Sequence, residues 1–209
     1  MNRLIQRDIE YVLKIRKYIL IATTIFLLSI VLGVIVARET DDGGDISQHV
    51  IMNIPIREHT PFERFLIIFR SNMYNCTTAI LLGIGLSIIP IYITVYNGIL
   101  MGIVVNASSG IPYGVVKFII SILPHGIIEI PIMLISMGIG LKMGYNMYAF
   151  LRASLQSSDS RLDKKTALIQ EFKQCVLFYL KWIVPGLLVA AIIESYITPL
   201  IIREMSKII

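Results

Sequence analysis

The stretch Leu123–Pro131, which reads LPHGIIEIP, decides the fold because it places ionisable residues and prolines inside a largely apolar segment. His125 and Glu129 both lie between Pro124 and Pro131. An ionisable side chain at membrane depth costs a few kcal/mol or more, so it normally faces a partner or a cavity. Prolines free backbone carbonyls that protein or water must satisfy. The stretch therefore indicates either a functional centre or a hydrogen-bonded polar cluster with a structural role in a membrane protein.

The composition around this stretch is that of a membrane protein. The chain has 209 residues, of which 56% are hydrophobic and 16% are charged, whereas a soluble domain carries about 25% charged residues. No charged residue occurs over the 46 positions from 71 to 116. We predict an all-α, polytopic helical membrane protein with about five transmembrane helices in a single membrane domain.

The charges alternate along the chain in a way that predicts its orientation. Residues 1–17 carry five Lys/Arg against two acids, residues 38–71 carry four Arg against six acids, and residues 142–173 carry six Lys/Arg against three acids. Because Lys and Arg concentrate on the cytoplasmic side, the N-terminus is predicted to be cytoplasmic. The pattern is not the basic stripe of a nucleic-acid-binding protein, so the expected surroundings are the lipid bilayer.

The apolar runs and the turns between them divide the chain into predicted segments. These are a cytoplasmic basic amphipathic segment (1–17), a first span (18–37), an external loop (38–71) with an interfacial helix (61–70), a helical hairpin (72–107), a proline-broken span (113–145), a cytoplasmic basic loop and helix (146–173), a last span (175–202) and an external tail (203–209).

Two of these segments leave alternatives open. Residues 1–17 either lie on the membrane surface or extend the first span, and the hairpin 72–107 either crosses twice or is partly re-entrant.

The span at 113–145 is predicted to break at its prolines. As one straight helix, residues 113–142 would be about 45 Å long, which exceeds the hydrocarbon thickness of about 30 Å. Pro124 marks the natural break, with Gly126 two residues and Pro131 seven residues further on. A helix that begins at Pro124 would have a proline at its favourable first position.

The ionisable residues of the spans could form one buried polar cluster. His125 and Glu129 are four residues apart and share a helix face, and Glu194 lies deep in the last span. Three interpretations compete: a polar knot that fixes helix packing, a proton or ion pathway, and a metal-dependent hydrolase site. Because neither a His-Glu-x-x-His nor a Gly-x-Ser-x-Gly motif occurs, we predict no catalytic residue, bound metal or cofactor.

Small residues predict two surfaces for close helix packing. Gly98 and Gly102 form one small-xxx-small pair, and Ser136, Gly140 and Gly144 form a row with the same spacing. Such residues let helix backbones approach each other in membranes.

Neutral polar residues near the spans are expected to bind across helices. Asn72, Asn75 and Asn97 are of this kind, since asparagine side chains commonly donate hydrogen bonds to a neighbouring helix. The two cysteines, Cys76 and Cys175, are predicted to lie on opposite sides of the membrane and therefore to form no disulfide.

Taken in order, four pieces of the chain resemble the stage II sporulation protein M family of prokaryotic integral membrane proteins. They cover about residues 65–200 and are the asparagines at 72 and 75, Asn97-Gly98-x-x-x-Gly102, the stretch Leu123–Pro131, and Ala190-Ala191-x-x-Glu194 with Thr198-Pro199. The resemblance implies a helical protein of about five spans in a prokaryotic plasma membrane. It implies a scaffold that works with peptidoglycan-degrading enzymes in spore formers, and it brings no established catalytic residues.

We therefore expect an integral membrane scaffold or complex subunit without catalytic activity of its own. A homo-oligomer and membrane or cell-envelope proteins are its candidate partners. The alternative is a transporter or channel-like protein with a His/Glu site at the membrane midplane, and a weaker alternative is an intramembrane metal-dependent hydrolase.

Overall fold

Five long helices account for nearly all of the structure, a computed structural model that describes residues 3–40, 59–109, 113–155 and 158–205. Of these residues 95% are helical and none lies in a strand. The helices are α1 (Arg3–Thr40), α2 (Pro61–Leu82), α3 (Ile88–Ser109), α4 (Gly114–Ser154) and α5 (158–205). Each contains a segment long and apolar enough to cross a membrane. The predicted all-α polytopic class is confirmed.

Helix α5 is continuous but contains two π-helical turns, at Tyr179–Ile183 and Ile193–Ile197. A proline, Pro185 or Pro199, follows each turn by two residues. Since proline lacks the N–H that would bond the carbonyl four residues earlier, the wider π turn accommodates it without ending the helix.

Helices α2 and α4 run in the same direction, side by side. The side chain of Asn72 reaches Glu129 near one end of the contact. Further along, Gly140 lies against the backbone of Ala79. The chain therefore has to return between them, and α3 does so after a tight turn at residues 83–87.

Helices α1 and α5 run opposite to α2 and α4. Gly98 of α3 packs against Phe26 of α1, and Gly102 packs one turn later against Ile30, so α1 is parallel to α3. Residue 171 of α5 contacts residue 142 of α4, and residue 194 of α5 lies near residue 129 of α4. These two helices are therefore antiparallel. Alternating directions are what five successive crossings require.

The length of α2 and α3 bears on the hairpin predicted at 72–107. Each helix has 22 residues, about 33 Å at 1.5 Å per residue, which is enough for a full crossing. Helix α2 begins with a capping box between Thr60 and Glu63 and has Pro61 in its first turn. It then continues to Leu82, so the helix predicted at 61–70 and the beginning of the second span are one continuous helix.

Other predicted boundaries also differ from the structure. Helix α1 is continuous from Arg3, so residues 3–17 extend the first span. Of the cytoplasmic loop and helix predicted at 146–173, the helical part is longer than expected, because α4 continues to Ser154 and α5 begins at Ser158. Much of the predicted external loop (41–58) and the end of the tail (206–209) lie outside the described residues.

Helix α4 runs through Pro124 and Pro131 without a break, contrary to the predicted interruption. Its 41 residues amount to about 62 Å at 1.5 Å per residue, which exceeds the hydrocarbon thickness of about 30 Å. Transmembrane helices tolerate proline where neighbouring helices, side chains or water satisfy the freed carbonyls.

Candidate functional site

Glu129 lies at the centre of a polar group formed by three helices. Asn72 of α2 interacts with its carboxyl group, and Glu194 of α5 lies close enough to act on it electrostatically. The Oε2 atom of Glu129 is buried and has no hydrogen-bond partner among the described residues. The structure thus brings together two of the three predicted cluster residues and one of the predicted asparagines.

The π turn of α5 positions Glu194. The turn at Ile193–Ile197 contains the glutamate, and the Thr198 N–H bonds back to the Ile193 carbonyl across five residues. The Thr198 Oγ1 hydroxyl donates to the same carbonyl at 3.3 Å. Because a π turn inserts one extra residue, it rotates the side chains that follow it relative to those before it.

His125 lies within α4, one helical turn before Glu129. Its side chain lies outside the part of the chain that the structure describes, so the predicted three-residue cluster is described only at its two carboxylates. Among the described residues, no group of three or more His, Cys, Asp or Glu is arranged to hold a metal ion.

The polar group continues along the contact between α2 and α4. The Cys76 thiol interacts with the Ser136 hydroxyl and lies within electrostatic range of Glu129. Ser136 donates to the Ile132 carbonyl at 2.8 Å. Both side chains are fully buried, so Glu129 faces a small polar region within an apolar bundle.

Two carboxyl groups in such surroundings limit what the site can do. If both were ionised, their repulsion would be screened poorly because the bundle interior has a low effective dielectric constant. A bound proton or a nearby cation relieves this repulsion. The arrangement can therefore hold and release a proton or a cation, or it can serve as a hydrogen-bonded joint between helices.

The small-residue surfaces are real contacts between helices. Gly98 and Gly102 lie against the backbone of α1, whereas Gly140 and Gly144 lie against α2 and the turn that follows it. Sequence reasoning missed Gly83, the residue that meets Gly140 from α2. It is the first residue of the turn at 83–87 and directly follows the last residue of α2.

Near the predicted break at Pro124, the described residues pack differently from the glycines above. A side chain at Gly126 would meet only Ile122 and Ile130 of its own helix, so this glycine does not form a contact between helices. Pro131 is exposed and Pro124 is partly buried. Among the asparagines, Asn75 is half-buried.

Asn97 binds within its own helix rather than across helices. Its Nδ2 donates to the carbonyl of Ile93 at 2.8 Å. The expectation that all three asparagines bridge helices is therefore wrong for Asn97.

A buried ion-pair network joins three helices at the basic end of the bundle, where residues 1–17 and 142–173 lie. Sequence reasoning missed this network. Glu171 of α5 accepts from Lys142 of α4 at 2.7 Å and from Lys14 of α1 at 2.9 Å. By sequence alone, these residues indicate only the charge of the predicted cytoplasmic segments. The signal was that Lys142 interrupts a run of buried small and apolar residues from 136 to 144.

A second polar contact ties the beginning of α1 to α5. The Asp8 carboxylate pairs with Lys181, and its Oδ2 accepts from the Trp182 indole at 3.0 Å. Lys181, near one end of the apolar run of α5, therefore has a protein partner.

The two cysteines belong to the same buried cluster, together with residues such as Ile80 and Phe178. That they lie on opposite sides of the membrane stays a prediction, because this cluster extends along the bundle and includes residues from Tyr11 to Leu187. Both are free thiols.

Comparison with known families decides the assignment. The sequence model of the family described as stage II sporulation protein M matches residues 22–199. The chain belongs to this family. The match confirms the resemblance predicted from the motifs, and it includes Asn72, Glu129 and Glu194. It excludes the first 21 residues, which contribute Asp8 and Lys14 to the contacts above. No curated protein and no solved structure matches the chain.

Proposed function

We propose that this member of the stage II sporulation protein M family is a membrane scaffold or complex subunit without catalytic activity of its own. The family match over residues 22–199 is the observation that carries the proposal. In this proposal the protein lies in the plasma membrane of a prokaryote with its N-terminus in the cytoplasm. Its partners are further copies of itself or other proteins of the cell envelope.

The packing of the bundle supports a scaffold. Glycines bring the backbones of α1 and α3, and of α2 and α4, into direct contact. The Lys14–Glu171–Lys142 network ties α1, α4 and α5 together at the basic end. A bundle fixed in this way presents its outer helix faces in constant positions, which suits a protein that holds partners.

Crosslinking in native membranes tests the scaffold directly. Exposed Tyr92 and Tyr96 stack on the outer face of α3, so a photo-crosslinking residue at Tyr96 should capture partners there. We expect discrete crosslinked products above the monomer mass. The control is the same residue at buried Leu187, which should give none. A chain that stays monomeric at Tyr96 and at further exposed positions on each helix would contradict the proposal.

A second candidate function is proton or cation translocation through the polar group. It is favoured by the proximity of Glu194 to Glu129 and by the buried, unpartnered Oε2 atom of Glu129. Intramembrane carboxylates of this kind are common in proton relays and ion pathways.

Purified protein in vesicles separates the two functions. A translocation pathway predicts proton or sodium flux that falls at least tenfold in Glu129→Gln and in Glu194→Gln, because glutamine keeps the shape but carries no exchangeable charge. Glu10→Gln, an exposed glutamate on α1, should leave the flux unchanged. If the wild-type protein conducts no more than empty vesicles, the translocation hypothesis is rejected and the scaffold is unaffected.

A further inference from the structure

A groove between the start of α1 and the middle of α5 is not used by either proposed function. Its volume is about 400 Å³, within the range of about 300–1,000 Å³ that ligand sites occupy. Its lining includes Arg7, Asp8, Tyr11, Leu177, Phe178 and Lys181. The rings of Tyr11 and Phe178 lie 5.3 Å apart, so part of the wall is a tilted aromatic pair.

The groove combines apolar walls with a basic rim. Leu177 is largely exposed and can contact a hydrocarbon chain. At the rim, Asp8 is paired with Lys181, whereas Arg7 is exposed and forms no salt bridge with a described residue. Arg7 acts electrostatically on Asp8, and the three charged residues together leave one positive charge. Because Arg7 is exposed, its guanidinium can also face an anionic partner.

The position of the groove along the chain fits the membrane interface. It lies on the side of the bundle where the basic segments 1–17 and 142–173 are found. The Trp182 indole, which bonds Asp8 at the rim, is partly exposed. Tryptophan and basic side chains are enriched at this depth, where lipid headgroups meet the hydrocarbon.

We propose that this groove binds an anionic phospholipid. The phosphate lies beside Arg7, and an acyl chain lies along Leu177 and Phe178. Basic pockets between transmembrane helices on the cytoplasmic side bind anionic headgroups in this way. A free phosphate ion would gain nothing from contact with the apolar wall, so the wall favours a phospholipid over the free ion.

The chain offers its own probe, since Trp182 is the only tryptophan. The full-length protein is reconstituted into phosphatidylcholine vesicles that contain a fixed fraction of brominated phosphatidylglycerol, and quenching of tryptophan fluorescence is measured. Brominated phosphatidylcholine serves as the zwitterionic reference. We expect a relative affinity for the anionic lipid of about fivefold, the preference that one basic residue near the surface provides.

Arg7→Gln should reduce this preference to about one, because the variant loses the rim charge. The matched control Arg16→Gln removes an exposed arginine of the same helix outside the groove and should retain the preference. Equal quenching by both lipids in the wild type would overturn the proposal, as would equal losses in the two variants. Loss of the preference on adding inorganic phosphate would assign the site to a free anion and also overturn it.

Discussion

Glu171→Gln is expected to destabilise the protein by about 3–5 kcal/mol, the usual cost of removing one partner from a buried ion pair. The Lys142 side chain is only 8% exposed and Glu171 only 4%, so the ammonium group would remain buried without its carboxylate. Lys14, which bonds the other carboxylate oxygen, would add an unbalanced positive charge. The unfolding temperature in detergent should fall accordingly.

The buried thiols supply the measurement. Cys76 and Cys175 are the only cysteines and both are buried and free, so a thiol-reactive fluorescent dye reports unfolding. Exposed Glu10→Gln is the matched control and should change the midpoint little. The double variant Lys142→Met with Glu171→Met should recover much of the loss, because apolar residues of similar volume can replace a buried pair. An unchanged midpoint for Glu171→Gln would show that the network carries no stability.

The sequence was sufficient for the parts of the fold that depend on composition. Hydrophobic runs predicted the all-helical class, and the motif around Glu129 predicted the family. Continuity through Pro124 could not be predicted, because it depends on what surrounds the freed carbonyl in the folded bundle. The same limit applies to helix ends, since α4 continues to Ser154, beyond the predicted end of the span at residue 145.

The candidate site, too, could be predicted from the sequence only in part. Glu129 and Glu194 stood out because acids are rare in apolar spans. Their proximity depends on how α4 packs against α5 and on the π turn at Ile193–Ile197, and neither can be read from the apolar runs. Lys142 and Glu171 were missed for the opposite reason: at the edges of spans, charged residues are common, and only the packing shows that this pair is buried.

Gly102→Ala is expected to destabilise the bundle by about 1–3 kcal/mol, the range for overpacking a well-packed contact. An added Cβ would lie 2.8 Å from the Val34 nitrogen and 2.9 Å from the Gly33 Cα. These are backbone atoms, which cannot rotate away, so α1 and α3 would have to separate. Helix propensity alone would make this substitution stabilising, because alanine favours a helix over glycine by about 1 kcal/mol. A net loss of stability therefore requires that the steric cost of the added Cβ exceed this gain.

Gly126→Ala is the control that isolates this steric effect, because it makes the same chemical change in another buried transmembrane glycine. There the added Cβ would meet the Ile122 Cγ2 at 2.8 Å, a methyl group of the same helix, so the contact forces no two helices apart, although χ1 of an isoleucine in a helix is stiff. We expect a midpoint closer to the wild type than that of Gly102→Ala in the same dye assay. If Gly102→Ala were as stable as Gly126→Ala, the close α1–α3 contact would be absent in the membrane, and the parallel packing of these helices would have to be rejected. Destabilisation by Gly102→Ala alone would establish that this glycine sets the distance between α1 and α3.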